Sequence, residues 1–261
     1  MGQVPTLLAA EQPLTFSGFL IAGSGRLSRH FQRYFRLLDL PFSVWSRHDG
    51  AEQLAKLAQR ASHVLIMLSD GAILPFVTEA HAIFHGRCLV HFAGGLEIQG
   101  VHVAHPLMTF SDELYSVDTY RKIPFVIDST GPEFGNLLPG LANENFRIEP
   151  RLRPLYHAWC VMSGNFTTLL WQEFFGALER DFGLPAPIAH LYLRQTAHNL
   201  EQVASKQTAS VLTGPLARGD RPTQEAHLKA LQRSPMLPLY RSFQQLYQQL
   251  QTQERSHEID I

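Results

Sequence analysis

Along the chain, short apolar runs alternate with segments whose apolar residues recur at helical spacing. Residues 16–22, 42–45, 63–68, 87–92, 102–104 and 123–127 form the runs and predict short, buried strands. Residues 26–38, 50–60 and 72–84 read as helices between them. Leu54, Leu57 and Ala58 share one face of the second. Pro75 is expected in the first turn of the third, where a missing N–H costs little. Strands alternating with helices predict right-handed crossovers and a mainly parallel sheet.

The pattern changes near residue 148. Residues 148–154 contain two prolines and read as a linker. Beyond them no strand is expected. Residues 155–182 are apolar nearly all round a helix axis, as at the centre of a bundle or a subunit interface. Residues 187–212, 223–233 and 237–251 predict further helices, the last with Leu239, Phe243, Leu246 and Leu250 at helical spacing, and the tail from Thr252 is expected to fray. The expected organisation is one domain over residues 1–148 and an all-α domain over 149–261.

Composition narrows the function classes. At 261 residues with 45% hydrophobic content, the chain can bury a substantial core. Lys+Arg 22 against Asp+Glu 23 leaves a net charge of -1, without the basic excess of a general nucleic-acid binder. No apolar run reaches the roughly 18 residues of a membrane span. Two cysteines, Cys88 and Cys160, cannot build a disulfide framework and argue against a zinc ribbon. The N-terminal segment lacks a basic region and a signal core, so a cytoplasmic protein is expected. Gly2 after Met1 matches a myristoylation start only weakly.

The strongest motif is Phe19-Leu-Ile-Ala-Gly23-Ser24-Gly25-Arg26-Leu27-Ser28, a strand running through two glycines into a helix. Gly23 permits the tight turn. Gly25 leaves room for a pyrophosphate to approach the backbone, and a small third residue lets helix and strand pack closely. The free N–H groups at the helix start suit phosphate. The turn and the strand–helix alternation together predict an α/β fold with a Rossmann-type sheet. Ser24, Arg26 and Leu27 join the glycines as candidate cofactor-binding residues. The second strand ends in Trp45-Ser46-Arg47-His48 without a carboxylate, Asp49 coming later. A hydroxyl and a guanidinium suit the 2′-phosphate of NADP, whereas NAD enzymes place an acid there. Ser46 and Arg47 are therefore expected to select NADP.

Ligands of open α/β sheets sit beyond the carboxyl ends of the strands. Ser69, His91, the Gly94-Gly95 backbone and His105 are placed there and become candidates for the reactive half of the cofactor. His81 and His85 have the spacing of two ligands on one helix face, but no third ligand accompanies them, and no metal is expected. No Gly-x-Ser-x-Gly elbow offers a nucleophile.

These residues occur in a familiar order. Gly23-x-Gly25, Ser46-Arg47, His91-Phe-Ala-Gly94-Gly-Leu96 and His105-Pro-Leu-x-x-Phe110 are followed by Tyr156-His-Ala-Trp-Cys-Val-Met-Ser163-Gly-Asn165 and Thr213-Gly-Pro-Leu-Ala-Arg218-Gly-Asp220, then Thr223 and His227-Leu228. The chain resembles the uncharacterised Rossmann-like oxidoreductases that carry a helical C-terminal domain of unknown function. That group is similar to β-hydroxyacid dehydrogenases, ketopantoate reductases and pyrroline-5-carboxylate reductases. The resemblance covers nearly the whole chain. It implies an NADP-binding N-terminal domain, a helical domain that often dimerises, and Tyr156, His157, Ser163, Asn165 and Asn199 facing a cleft between domains. The chain departs from the pattern at Ser28, where glycine or alanine is usual, which puts the tight packing there in question. A second departure is Ser69-Asp70, which lacks a preceding proline.

Hydride transfer belongs to the cofactor; the protein positions it and handles the proton. Reduction of a carbonyl or imine needs an acid near the developing alkoxide or amine. His157 is the first candidate, because imidazole titrates near neutrality, with Lys206 below it. Ser163 and Asn165 could hold the substrate oxygen. They diverge by about 200° on an ideal helix, so only some of this set can share a cleft unless the helix breaks at Gly164. Arg218 binds an anionic substrate or pairs with Asp220; equally, the loop caps the next helix. The expected protein is an NADP-dependent oxidoreductase acting on a small carbonyl, hydroxy-acid or imine-type substrate, as a homodimer through its C-terminal helices. The alternative is a non-catalytic NADP(H)-binding sensor or scaffold.

Overall fold

The computed structural model describes residues 15–205 and 212–259. Gly2 and Lys206 lie outside the described residues. The chain divides into two compact units, Met1–Gln172 and Glu173–Ile261.

The first unit is a seven-stranded sheet flanked by helices. In chain order the strands are β1 (Phe19–Ala22), β2 (Phe42–Trp45), β3 (His63–Ile66), β4 (Cys88–His91), β5 (His102–Pro106), β6 (Phe125–Asp128) and β7 (Asn145–Ile148). Their spatial order is β2-β1-β3-β4-β5-β6-β7. β1 to β5 run parallel. β6 pairs antiparallel to β5 and parallel to β7. The helices are α1 (Arg26–Leu37), α2 (Gly50–Ala58), α3 (Asp70–Glu79), α4 (Val117–Arg121), α5 (Phe134–Leu137) and α6 (Arg153–Cys160).

Both faces of the central strands are covered, so β1 and β3 are buried at every position. Phe19, Ile21 and Leu65 pack on one face against Phe31 and Phe35 of α1 and Tyr120 of α4. On the other face, Leu20, Ala22, Val64 and Ile66 pack against Leu54 of α2 and against Ile73 and Val77 of α3. The registers Ala22↔Trp45, Ala22↔Ile66 and Ile66↔His91 bring four strand ends level. The direction of strand progression reverses between β1 and β3, which opens a crevice outside their carboxyl ends.

Several expectations need correction. Residues 148–154 are not a linker: they close β7, make one turn of 3-10 helix at Pro150–Leu152, and enter α6 with Arg153 buried. β7 escaped the hydrophobic pattern because it is an edge strand with its first two residues exposed, Phe146 among them. The short α4 and α5 carry too little periodicity to stand out. α3 begins two residues earlier than expected, so Pro75 lies inside it. A proline there removes the hydrogen bond to the Gly71 carbonyl, a local cost that the packing of Ile73 and Val77 against the sheet offsets. α3 also ends at Glu79, so His81 and His85 lie beyond it and not on one helix face.

After α6 the helix continues through a π-helical segment, Val161–Phe166, into α7 (Thr167–Phe182). The long helix expected over 155–182 is therefore continuous but locally widened around Gly164. The second unit continues with α8 (His190–Ala204), α9 (Arg221–Ala230) and α10 (Leu237–Ile259), the last running past the expected fraying point. Within it, Phe174 meets Tyr192 edge-on, His227 bonds the Tyr240 hydroxyl at 2.9 Å, and Gln224 bonds Gln244. Asp220 caps α9, accepting from the Thr223 backbone and hydroxyl, which is the capping reading of the Arg218–Asp220 loop.

Candidate active site

The glycine turn is built by close approach. Gly23 has φ +137, and a Cβ there would run into the Met67 carbonyl oxygen at the end of β3. Its N–H donates to the Trp45 carbonyl at 2.8 Å, which ties the turn to the end of β2. Only glycine serves here. Gly25 is the opposite case: nothing lies within 4 Å of its Cβ position. It caps α1 without any side-chain hydrogen bond, so no side chain from the cap occupies the first N–H groups of that helix. Ser24, Gly25 and Arg26 are exposed, and Leu27 is half-buried. These features fit a bound phosphate group.

Ser28 closes the question its side chain raised. It is fully buried, and its hydroxyl donates to the Gly23 carbonyl at 2.7 Å. The third position packs tightly with serine because the extra oxygen finds a partner inside the turn.

At the end of β2 the structure adds a carboxylate that the linear order concealed. Asp49 folds back across one turn of 3-10 helix and accepts from the Ser46 backbone at 2.7 Å and from its hydroxyl at 2.9 Å. Those hydrogen bonds hold the Asp49 carboxyl below its usual range. Ser46 is thus engaged, while Arg47 is exposed and makes no hydrogen bond or ion pair among the described residues. Ser69 caps α3 and is exposed, its hydroxyl unused as a cap.

At the end of β4 a second group gathers. The Gly94-Gly95 turn is a floor for His157 of α6. A Cβ on Gly94 would fall 2.5 Å from His157 Cδ2 and 3.0 Å from His105 Nε2, and one on Gly95 would fall 3.2 Å from His157 Nδ1. The His105 and His157 rings meet edge-on at 5.7 Å. His105 Nδ1 and the Tyr156 hydroxyl are hydrogen-bonded at 2.8 Å. Arg153, one turn before His157, locks the arrangement. It donates to both Asp128 oxygens at 3.1 and 3.2 Å and to the Ala93 carbonyl at 3.0 Å, while only 3% exposed. One guanidinium so joins the end of β6, the loop after β4 and the start of α6.

Two imidazoles of this surrounding, His105 and His91, are held below the ordinary histidine range, chiefly by burial. Burial, then the neighbouring His157 and Arg153, pushes His105 down to about 4. Burial, with Arg153, His102 and His105, pushes His91 down to about 3. Burial and the hydrogen bond with Cys160 hold the Tyr156 hydroxyl well above the usual phenol range. Cys88 is pushed up to about 12 by burial, which leaves it an inert thiol.

The sequence-derived candidates are therefore sorted. Gly23, Ser24, Gly25, Arg26, Leu27, Ser46, Arg47 and Ser69 lie along the carboxyl ends of β1, β2 and β3. His91 reaches the end of β4, but its side chain is sealed at 0% exposure, with Nδ1 accepting from the Ala93 N–H and Nε2 unpartnered. What it can offer a ligand is its backbone. His157 is gathered with His105 and Tyr156. Ser163 and Asn165 are not: both are exposed, the Ser163 hydroxyl donates to the Trp159 carbonyl, and no hydrogen bond joins either to His157 among the described residues. Asn199 lies on α8 in the second unit, bonded to Gln195. The buried Arg153–Asp128 pair went unread in the sequence, because nothing in the local pattern links residues 25 apart; a lone arginine opening an otherwise apolar helix was the available signal.

Residues 127–252 match the family model described as Domain of unknown function (DUF2520). Among curated proteins none matches the chain in sequence. Solved structures match its fold across nearly all of its length. A Bacteroides fragilis protein proposed as an NADP oxidoreductase is 20% identical, with TM-score 0.68, covering 89% of this chain and 98% of its own. An NADH-preferring ketol-acid reductoisomerase from an uncultured archaeon is 14% identical, with TM-score 0.53, covering 93% and 84%. A reductive aminase from Aspergillus terreus, solved with NADPH, is 16% identical, with TM-score 0.53, covering 87% and 93%. The match to the DUF2520 model is thus confined to residues 127–252, and the fold of the chain is the Rossmann-type fold that the sequence resemblance implied.

Proposed function

We propose that the protein is an NADP-dependent oxidoreductase acting on a small carbonyl, hydroxy-acid or imine-type substrate. The observation that carries this reading is the seating of His157 on the Gly94-Gly95 turn, at the same sheet edge as the open, uncapped start of α1. The Gly23–Leu27 turn would hold the pyrophosphate through backbone N–H groups. Arg47 would take the 2′-phosphate, with the Asp49 carboxylate nearby tempering the preference over NAD. A bound nicotinamide supplies the hydride. His157 would give a proton to the developing oxygen or nitrogen, with His105, itself bonded to the Tyr156 hydroxyl, edge-on to its ring beside the glycine turn. The fold likeness to reductases that use either nicotinamide cofactor supports this class of chemistry.

The test is titration of purified protein with NADPH and NADH, beside Arg47→Ala. NADPH bound at least about tenfold tighter than NADH, with the difference lost in the variant, supports a preference of about 1.4 kcal/mol carried by Arg47. A panel of carbonyl and imine substrates then follows with His157→Asn. Binding without turnover across the panel would favour a sensor or scaffold, a reading suited to the absence of Ser163 and Asn165 from the His157 group. If neither nucleotide binds, the oxidoreductase reading falls.

The helical region is also proposed to pair with a second copy of the chain. Leu155, Trp159, Met162, Phe166 and Leu169 form one stripe at helical spacing along α6, the π-helical segment and α7, each at least 42% exposed. On α8 and α10, Leu191 is 70% and Phe243 49% exposed. Another copy of the same helices would cover these side chains.

A further inference from the structure

The first turn of α1 breaks a local rule. Cations are unfavourable at a helix N-terminus, where the backbone already concentrates partial positive charge. Yet this turn holds Arg26 and Arg29 and no acid. Their counter-charge comes from far along the chain. Asp112, in the loop between β5 and α4, accepts from Arg26 Nε at 3.2 Å and from Arg29 Nη2 at 2.6 Å, both on the same oxygen. Arg26 also donates to the Phe110 carbonyl at 3.3 Å. We propose that Asp112 is a built-in competitor for the anion received at the glycine turn and sets how tightly that anion binds. The proposal rests on the nucleotide-binding reading of the turn and identifies the residue that tunes its affinity.

The geometry makes the competition one-sided. All three charged side chains are at least half exposed, Asp112 at 74%, so the ion pairs are solvated and weak. A pyrophosphate at Gly25 would add the free N–H groups of α1 to the same two guanidinium groups, and charge-assisted bonds of that kind are stronger. The loop need not leave when its carboxylate is displaced. His30, the next residue of α1, is buried and bonded to the Ser111 carbonyl at 2.9 Å and to the Tyr120 hydroxyl at 2.9 Å. Tyr115 braces the loop from within, donating to the Thr109 carbonyl and accepting from the Ser111 N–H. Exchange is thus confined to Asp112 and the Phe110 carbonyl. The two arginines pay for their position against the helix dipole by gaining an anion, and Asp112 is the one that holds them until a ligand arrives.

The experiment titrates the full chain with NADPH and, separately, with inorganic pyrophosphate. Asp112→Asn should bind both about tenfold tighter than the unaltered protein, and the gain should shrink as salt is raised. Glu113→Gln, which removes a neighbouring exposed charge, should change neither affinity. In an Arg26→Ala, Arg29→Ala background, Asp112→Asn should bring no gain. Equal or weaker binding of both anions by Asp112→Asn, or an equal gain in Glu113→Gln, overturns the proposal. If pyrophosphate binds more tightly to Asp112→Asn while no nicotinamide nucleotide binds either protein, the proposal stands and the oxidoreductase reading falls. If no anion binds either protein, both fall.

Discussion

The two units bury their apolar residues in opposite ways. The sheet unit seals Phe19, Ile21 and Leu65 on one face of its strands and Leu20, Val64 and Ile66 on the other, each at 1% exposure or less. In residues 173–261 the buried apolar side chains among those described are Leu178 and Ala189, while Phe182, Ile188, Leu191 and Tyr192 are each more than 60% exposed. A parallel sheet covered on both faces makes its own core. Helices whose apolar stripes remain open must be completed by another surface. Stability of the first unit should therefore be a property of single chains, and stability of the second a property of concentration.

The sharpest way to break the first half of that comparison is Arg153→Ala. It leaves the Asp128 carboxylate and the Ala93 carbonyl without their shared donor in a nearly dry setting. Removing one partner of such a pair costs about 3 kcal/mol or more. Urea unfolding should show that loss as a lower midpoint independent of protein concentration. A surface-pair effect below about 1 kcal/mol would mean that Arg153 is not the lock between β6, the loop after β4 and α6.

The second half is tested by Leu191→Glu and Phe243→Glu. Placing a charge on an apolar interface position costs about 2–4 kcal/mol at a central contact. Sedimentation equilibrium should show self-association weakened by at least about thirtyfold, roughly 2 kcal/mol, with nucleotide affinity unchanged. Unaltered association would remove the second copy as the cover of these helices.

Acid should strike the first unit. His63, His91, His102 and His105 all have folded-state values below the ordinary imidazole value, each chiefly through burial. The groups around them do not reverse this: Arg153 and neighbouring histidines oppose protonation, and only Asp128 beside His102 and the Asn136 carbonyl at His63 favour it. The unfolded chain takes up protons below about pH 6.5 while the folded chain does not, so stability present above that pH is lost as pH falls from 6.5 towards 4. Each histidine contributes a slope of up to about 1.4 kcal/mol per pH unit. Midpoints measured between pH 7.5 and 4.5 that stay level would contradict the burial of this group.

How much of this was legible depended on distance along the chain. β1 to β4, the glycine turn and the helices around them follow from apolar runs and local turn chemistry. β1 and β3 are buried at every position, so their pattern is unbroken, and β2 and β4 remain apolar enough to be read beside them. β7 was lost because an exposed edge strand has no such pattern. Within the candidate site, His157 stood out as an imidazole on a largely apolar helix, but its partners are set by tertiary contacts. His105 arrives from β5, Asp128 from β6 and Asp112 from the loop beyond β5. Asp49 is the instructive case. It lies only three residues beyond Ser46, yet its carboxylate returns to the strand end because the 3-10 turn folds it back.

The smallest effect in the series separates the two glycines of the turn, which linear motif reading treats alike. At Gly23 an added methyl meets the Met67 carbonyl, and φ +137 is strained for any side chain. Gly23→Ala should cost about 1–3 kcal/mol, a drop in Tm of roughly 2–10 °C for a chain of this size. Gly25 has an ordinary φ of -72 and empty space at its Cβ position. Gly25→Ala should change stability by less than about 1 kcal/mol, the range expected when a helix cap is exchanged. Its methyl would nonetheless stand where a pyrophosphate must approach the α1 backbone. Thermal melts of both variants, beside NADPH titration, distinguish the roles. A stable Gly25→Ala that binds NADPH as tightly as the unaltered protein would show that the open space at Gly25 is not where phosphate binds. A Gly23→Ala that melts normally would show that β1 and β3 can part at the switch point without cost, and the crevice between them would no longer be a fixed feature of the sheet.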